Sequence, residues 1–209
     1  MTLRHYSILI ILMMGISTSI SSQDTSDTMT KHDSLPYYSI PEPIAEYSAA
    51  TVAARMIDGL GFRYRWATEG LTEDDLSYTP DSTARNSFET LEHVLGLSEM
   101  ILTAVRQQPI IRSKDKKSYT WTEMRAMTLT NIKEASDILW QHPTADLNDY
   151  PIVFQRGDQS SEYPFWNLLN GPIADAMWHC GQIVSFRRAS GNPIDPRVSV
   201  FSGTIRERE

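Results

Sequence analysis

The chain has 209 residues, 41% hydrophobic, 22% charged and 10% aromatic, a balance that fits a globular protein and excludes disordered, collagen-like and multi-span membrane classes. Nineteen Lys and Arg against 26 Asp and Glu leave a net charge of −7, which argues against nucleic acid as a partner. The single cysteine, Cys180, excludes an internal disulfide framework and a four-cysteine zinc site.

Residues 1–22 read as a secretory signal peptide. Arg4 supplies a basic start, Tyr6 to Gly15 a short apolar run, and Ile16 to Ser22 a small polar end. The apolar run falls short of the roughly 20 residues a membrane span needs, so no stable span is expected after cleavage. The expected destination is periplasmic or extracellular. Residues 23–43, rich in Asp, Ser, Thr and Pro, read as a flexible lead-in.

Four long helical stretches follow within residues 44–195. In the first, Glu46 to about Glu69, a face of Ala49, Val52, Met56, Leu60, Tyr64 and Ala67 recurs every three or four residues, and Gly70 can end it. Thr72-Glu73-Asp74-Asp75 predicts a short helical turn. The second stretch runs from about Ser87 to Gln107 and stops at Pro109. The third opens at Thr120 with Glu123 three residues on, the spacing of a capping box, and ends at His142-Pro143. The fourth covers about Trp166 to Ala189, with Pro172 a kink or a restart. A long polar connection, Pro143 to Pro164, precedes it and is interrupted by the β-prone Ile152-Val153-Phe154. Residues 196–209 form a C-terminal tail. This pattern predicts an all-α fold, an up-down-down-up or related four-helix bundle with a long connection before the last helix.

Two histidines sit in mid-helix, His93 in the second stretch and His179 in the fourth. His32 falls in the lead-in and His142 beside a proline at a helix end, which makes both poor ligands. Asp175 lies four residues before His179, so their side chains share one helical face about 6 Å apart. A carboxylate and an imidazole so placed can chelate a divalent ion, with His93 from a facing helix as third ligand and open positions left for solvent or substrate. On spacing alone the pair also reads as a local hydrogen bond. Gln182 is placed to orient a ligand, Glu89 to act from one turn before His93, and Trp178 to line a pocket mouth. Cys180 falls on an apolar stripe with Met177 and Val184, the place of a buried, inert thiol. Arg187 and Arg188 oppose the dipole at the end of the fourth helix.

The segments Leu91-Glu92-His93-Val94-Leu95 and Asp175-Ala176-Met177-Trp178-His179-Cys180-Gly181-Gln182 resemble the DinB family of four-helix bundles. In that family a histidine of the second helix and a His-x-x-x-His pair of the fourth, followed by Gly-Gln, hold a divalent metal. The likeness covers roughly Glu46 to Pro193. His93 matches the first ligand and His179 the last, whereas Asp175 stands where the middle histidine is expected. Two imidazoles and one carboxylate suit zinc first, and also iron(II), manganese or nickel. The resemblance implies a metal-dependent transferase of the thiol S-transferase kind, or a hydrolase, acting on a small molecule. Dimers through bundle faces occur among such proteins. A non-catalytic extracytoplasmic binding module is the alternative, and a bundle without metal the third reading.

Overall fold

The computed structural model describes residues 34–43, 46–111 and 117–207. The expected signal peptide, most of the lead-in with His32, and the basic run 112–116 lie outside the described residues.

One local device opens each of the first four helices. At α1 (Ala49–Ala67) the Ser48 hydroxyl accepts from the Thr51 N–H at 3.1 Å, while Thr51 Oγ1 accepts from the Ser48 N–H at 2.8 Å. Thr72 and Asp75 do the same for α2 (Glu73–Ser77), Asn86 and Glu89 for α3 (Ser87–Val105), and Thr120 and Glu123 for α4 (Trp121–Gln141). Each pair satisfies two backbone donors that the first helical turn leaves without partners. Gly70 takes a φ of +67° two residues after the Thr68 cap of α1, a left-handed turn that glycine reaches without Cβ strain.

The helical layer packs α1 against α4 and α6, and α3 against the same two helices. Its core joins Ile57, Leu60 and Tyr64 of α1 to Leu91, Val94 and Ile101 of α3, with Leu129, Ile132 and Leu139 of α4. The buried stripe of α1 differs from the expected one in its first half. Ala50, Ala53, Ala54 and Ile57 face inward, whereas Val52 and Met56 are exposed. The alanines let α4 approach closely, a choice that hydrophobicity ranking alone would not make.

The expectation of an all-α bundle is overturned. The fold is mixed, with 10% of the described residues in strands beside 55% in helix. The polar connection before the last helix folds into a hairpin, β2 (Ile152–Arg156) antiparallel to β3 (Gln159–Tyr163). The short β1 (Ile110–Ile111), which follows α3, adds to β2 in parallel. Gly157-Asp158 closes the hairpin, with Gly157 at a φ of +60°, which is the residue type such two-residue turns demand. A second hairpin pairs β4 (Val198–Ser199) with β5 (Thr204–Ile205) in the C-terminal tail.

That tail hairpin and residues 34–43 belong to the packed body. Gly203 accepts from the Ile40 N–H at 2.8 Å, and the Tyr37 hydroxyl donates to buried Asp58 at 3.0 Å. A Cβ on Gly61 would stand 2.3 Å from the Tyr37 ring, so this face of α1 admits the lead-in only because residue 61 has no side chain.

The fourth expected helix is divided. α5 (Phe165–Leu168) passes into a wide π-turn (Leu169–Ile173) before α6 (Ala174–Ala189) begins. Gly171 leaves helical geometry at φ −94° and ψ −106°, and Pro172 has no N–H with which to continue the ladder. Buried Leu168 and Ile173 anchor either side of the turn. Among the described residues, no helix is long and apolar enough to cross a membrane.

Candidate metal centre

His93 projects from the middle of α3 where that helix meets α6. Its neighbours Leu91, Val94 and Leu95 are buried, which fixes the helix's rotation and leaves residue 93 at the edge of the core. On α6 the core face is Ala176, Cys180 and Ile183, so Asp175, His179 and Gln182 share the adjoining face. The π-turn immediately before Asp175 sets where α6 starts. Such turns re-aim the side chains that follow and recur at functional sites.

The three expected ligands converge. His93 Nε2 lies 3.0 Å from Asp175 Oδ2, and His179 Nε2 lies 3.3 Å from Asp175 Oδ1. The two imidazoles meet edge to face with centroids 4.7 Å apart. One ligand atom from each residue falls within 4.8 Å of the others. Donors held about 2.0–2.1 Å from a shared ion stand roughly 2.8–3.4 Å apart, from octahedral to tetrahedral geometry. The two carboxylate–imidazole separations fall in that range, so His93, Asp175 and His179 can hold a divalent metal ion.

Gln182 supports this arrangement. Its Oε1 lies 2.6 Å from His179 Nδ1, and an amide oxygen only accepts, so Nδ1 carries the hydrogen. His179 Nε2 then faces Asp175 Oδ1 with either a lone pair or a second proton. Two lone-pair atoms at 3.3 Å repel, and a cation between them turns that repulsion into two bonds. A ligating histidine whose other nitrogen is held by an acceptor is the usual outer arrangement of a metal site. Side-chain exposure is 32% for His93, 35% for Asp175 and 12% for His179. The centre is therefore closed on the His179 side and open toward His93, where further coordination positions face solvent.

The remaining sequence candidates divide. Glu89 lines the same cleft as His93, but its Oε2 accepts from the Asn86 N–H at 3.0 Å and closes the cap of α3. It makes no hydrogen bond to His93 or Asp175 among the described residues. Trp178 stacks beside His179, with centroids 6.4 Å apart and planes 13° from parallel, and is 70% exposed. Cys180 is buried. Burial pushes its thiol up to about 12, with Arg63 opposing, so the protonated thiol is inert beside the candidate ligands. His142 caps the end of α4 and is outside the cluster.

Arg187 lies in the last turn of α6, as expected, and has a second task as well. Its Nη1 donates across the core to the Ala67 and Trp66 carbonyls at 3.0 and 3.3 Å. Its Nε donates to the Asn192 carbonyl at 2.7 Å. The guanidinium thus closes the C-terminal end of α1 from across the core.

Sequence reasoning missed a cleft of about 650 Å³ that runs along α3 from His93. Glu92, Gly96 and Glu99 share it with Glu89, and Lys117 and Tyr119 face them from the segment before α4. The signal was present: residues 89, 92, 93, 96 and 99 all fall on one helical face. Partial burial raises the Glu99 carboxyl above its ordinary value, while the Lys117 ammonium draws it back down. No family model, curated protein or solved structure matches this chain.

Proposed function

We propose that the protein is an exported, DinB-like divalent-metal protein that transfers or hydrolyses a small molecule at the His93, Asp175 and His179 centre. The observation that carries this reading is the pairing of both imidazoles with opposite oxygens of one carboxylate, while Gln182 holds the far nitrogen of His179. A carboxylate that faces both imidazoles, with one of them oriented from behind by Gln182, is an arrangement that suits a chelating set.

Zinc is the expected ion, because two neutral imidazoles and one carboxylate form a familiar zinc donor set; iron(II), manganese and nickel suit it as well. When bound, the ion supplies Lewis acidity that lowers the pKa of a coordinated small molecule. The chain's own residues do the rest. Asp175 neutralises half of the ion's charge, Gln182 holds His179 in its ligating tautomer, and the opening beside His93 admits the substrate. Glu89 is not the general base of this reading, since its carboxylate closes a helix cap.

The test is metal content of the mature protein purified without chelator. The wild type should carry about one divalent ion per chain and His179→Ala below roughly 0.2. Equal content in the two would sink the proposal. Thiol-plus-electrophile and ester substrates then separate transferase from hydrolase, and turnover of neither, at full metal content, would point to a binding module.

A further inference from the structure

α6 carries a flank on either side of its core stripe. Asp175, His179 and Gln182 take one, and Met177, Gly181 and Val184 fall on the other. That second flank borders a cavity of about 210 Å³ between α6, Arg63 of α1 and Val198 of β4. Its lining carries one charged side chain, Arg63, and no acid. The guanidinium is held in place: Arg63 folds back along α1 and donates from Nη1 to the Gly59 carbonyl at 2.9 Å. A Cβ on residue 59 would stand 3.2 Å from that Nη1, so glycine leaves it room. Arg63 is half-buried, and among the described residues it forms no ion pair and no other hydrogen bond. Four of its five N–H donors are thus left to a ligand. Its charge reaches the cavity wall, since it opposes the effect of burial on the Cys180 thiol. A half-buried cation among apolar side chains, with no acid of its own, favours an anion with an apolar body.

We propose that this cavity binds a straight-chain aliphatic carboxylate of about six carbons, its carboxylate on Arg63 and its chain against Met177, Val184 and Val198. The volume sets the length. A cavity of about 150 Å³ takes up benzene, so one of about 210 Å³ holds roughly eight heavy atoms, the size of hexanoate. A helix or strand of a partner is too large for it, and an inorganic anion would leave the apolar wall uncovered. Gly181 keeps the entrance clear: it is exposed, and a Cβ built there meets nothing within 4 Å. The site lies on the opposite flank of α6 from the candidate metal centre and does not depend on it.

Titration with hexanoate, hexanol, hexylamine and acetate, followed by amide-resolved NMR, tests this. Hexanoate should bind about tenfold tighter than hexanol, the gain of a charge-assisted contact. Hexylamine and acetate should bind more weakly than either, and the largest shifts should fall at Met177, Gly181 and Val198. Arg63→Met, which keeps an apolar stem, should reduce hexanoate to the affinity of hexanol. Gly181→Leu places a better helix former at an exposed position and should abolish hexanoate binding without lowering Tm. His179→Ala should bind hexanoate as the wild type does. Equal affinity for hexanoate and hexanol, undiminished hexanoate binding by Arg63→Met, or no saturable binding by about 10 mM overturns the inference. Loss of binding in His179→Ala also overturns it, by placing the carboxylate on the metal centre instead.

Discussion

His93 Nε2 and Asp175 Oδ2 meet at 3.0 Å across 82 residues of chain. This contact joins α3 to α6 at the candidate centre, and it turns a two-residue helical chelate into a three-residue one. Asp175 is the hinge of the arrangement, since its second oxygen faces His179 at 3.3 Å. Asp175→Ala should therefore lower divalent-metal affinity by more than about 100-fold, beyond the usual effect of losing an outer-shell group. Asp175→His, which creates a His-x-x-x-His pair, should keep metal and favour ions that prefer nitrogen donors. Competition against a chromogenic chelator measures both, and an Ala variant that binds as the wild type does would exclude Asp175 as a ligand.

Gln182 touches the centre only through His179. Gln182→Leu should weaken metal binding by about 10–100-fold and leave the stoichiometry at one. Gln182→Glu, which also accepts from Nδ1–H, should recover most of the loss. Isothermal titration with zinc discriminates these results, and recovery in neither variant would assign Gln182 a packing role instead.

Asp75 carries a pH-dependent part of the stability. Burial raises its carboxyl, but hydrogen bonds from Ser190, Asn192 and Thr72 outweigh that and hold it at about 2, below the ordinary 3.8. A lowered folded value stabilises the protein above the unfolded value, and the contribution is lost as pH falls from about 4 toward 2. The loss should be on the order of 1–2 kcal/mol. Urea midpoints compared at pH 5 and pH 3 should fall more for the wild type than for Asp75→Asn; equal falls would count against this account.

Arg187 closes α1 with a planar fork that a lysine ammonium does not reproduce. Arg187→Lys should leave the Trp66 and Ala67 carbonyls under-satisfied and cost about 1–3 kcal/mol, a fall of roughly 2–10 °C in Tm for a chain of this size. Metal content should stay at the wild-type level. Thermal unfolding followed by circular dichroism provides the check, and an unchanged Tm would remove the capping role.

The starts of α2 and α4 were legible because they are local: Thr72 and Thr120 each find their cap partner three residues on. Ser48 and Asn86 use the same spacing, unread in the sequence, and periodicity marked the helices that follow them. The i,i+4 pair of Asp175 and His179 was legible for the same reason. Strand pairing was not. The β-prone patch at 152–154 was visible, but a strand is stabilised only by partners, and Ile110–Ile111 comes from more than forty residues away.

By itself, then, the sequence determined three of the four long helices, the caps at Thr72 and Thr120, the i,i+4 pair of Asp175 and His179, and the two histidines worth weighing. These follow from interactions within one or two helical turns, where spacing is geometry. Tertiary structure alone decided that α3 lies against α6 with His93 opposite Asp175, that the connecting segments form sheets, and that Arg187 serves a distant helix end. It also decided that the Glu92, Gly96 and Glu99 face borders a cleft instead of open solvent. Those outcomes depend on which faces bury one another, and burial is settled by the whole chain at once.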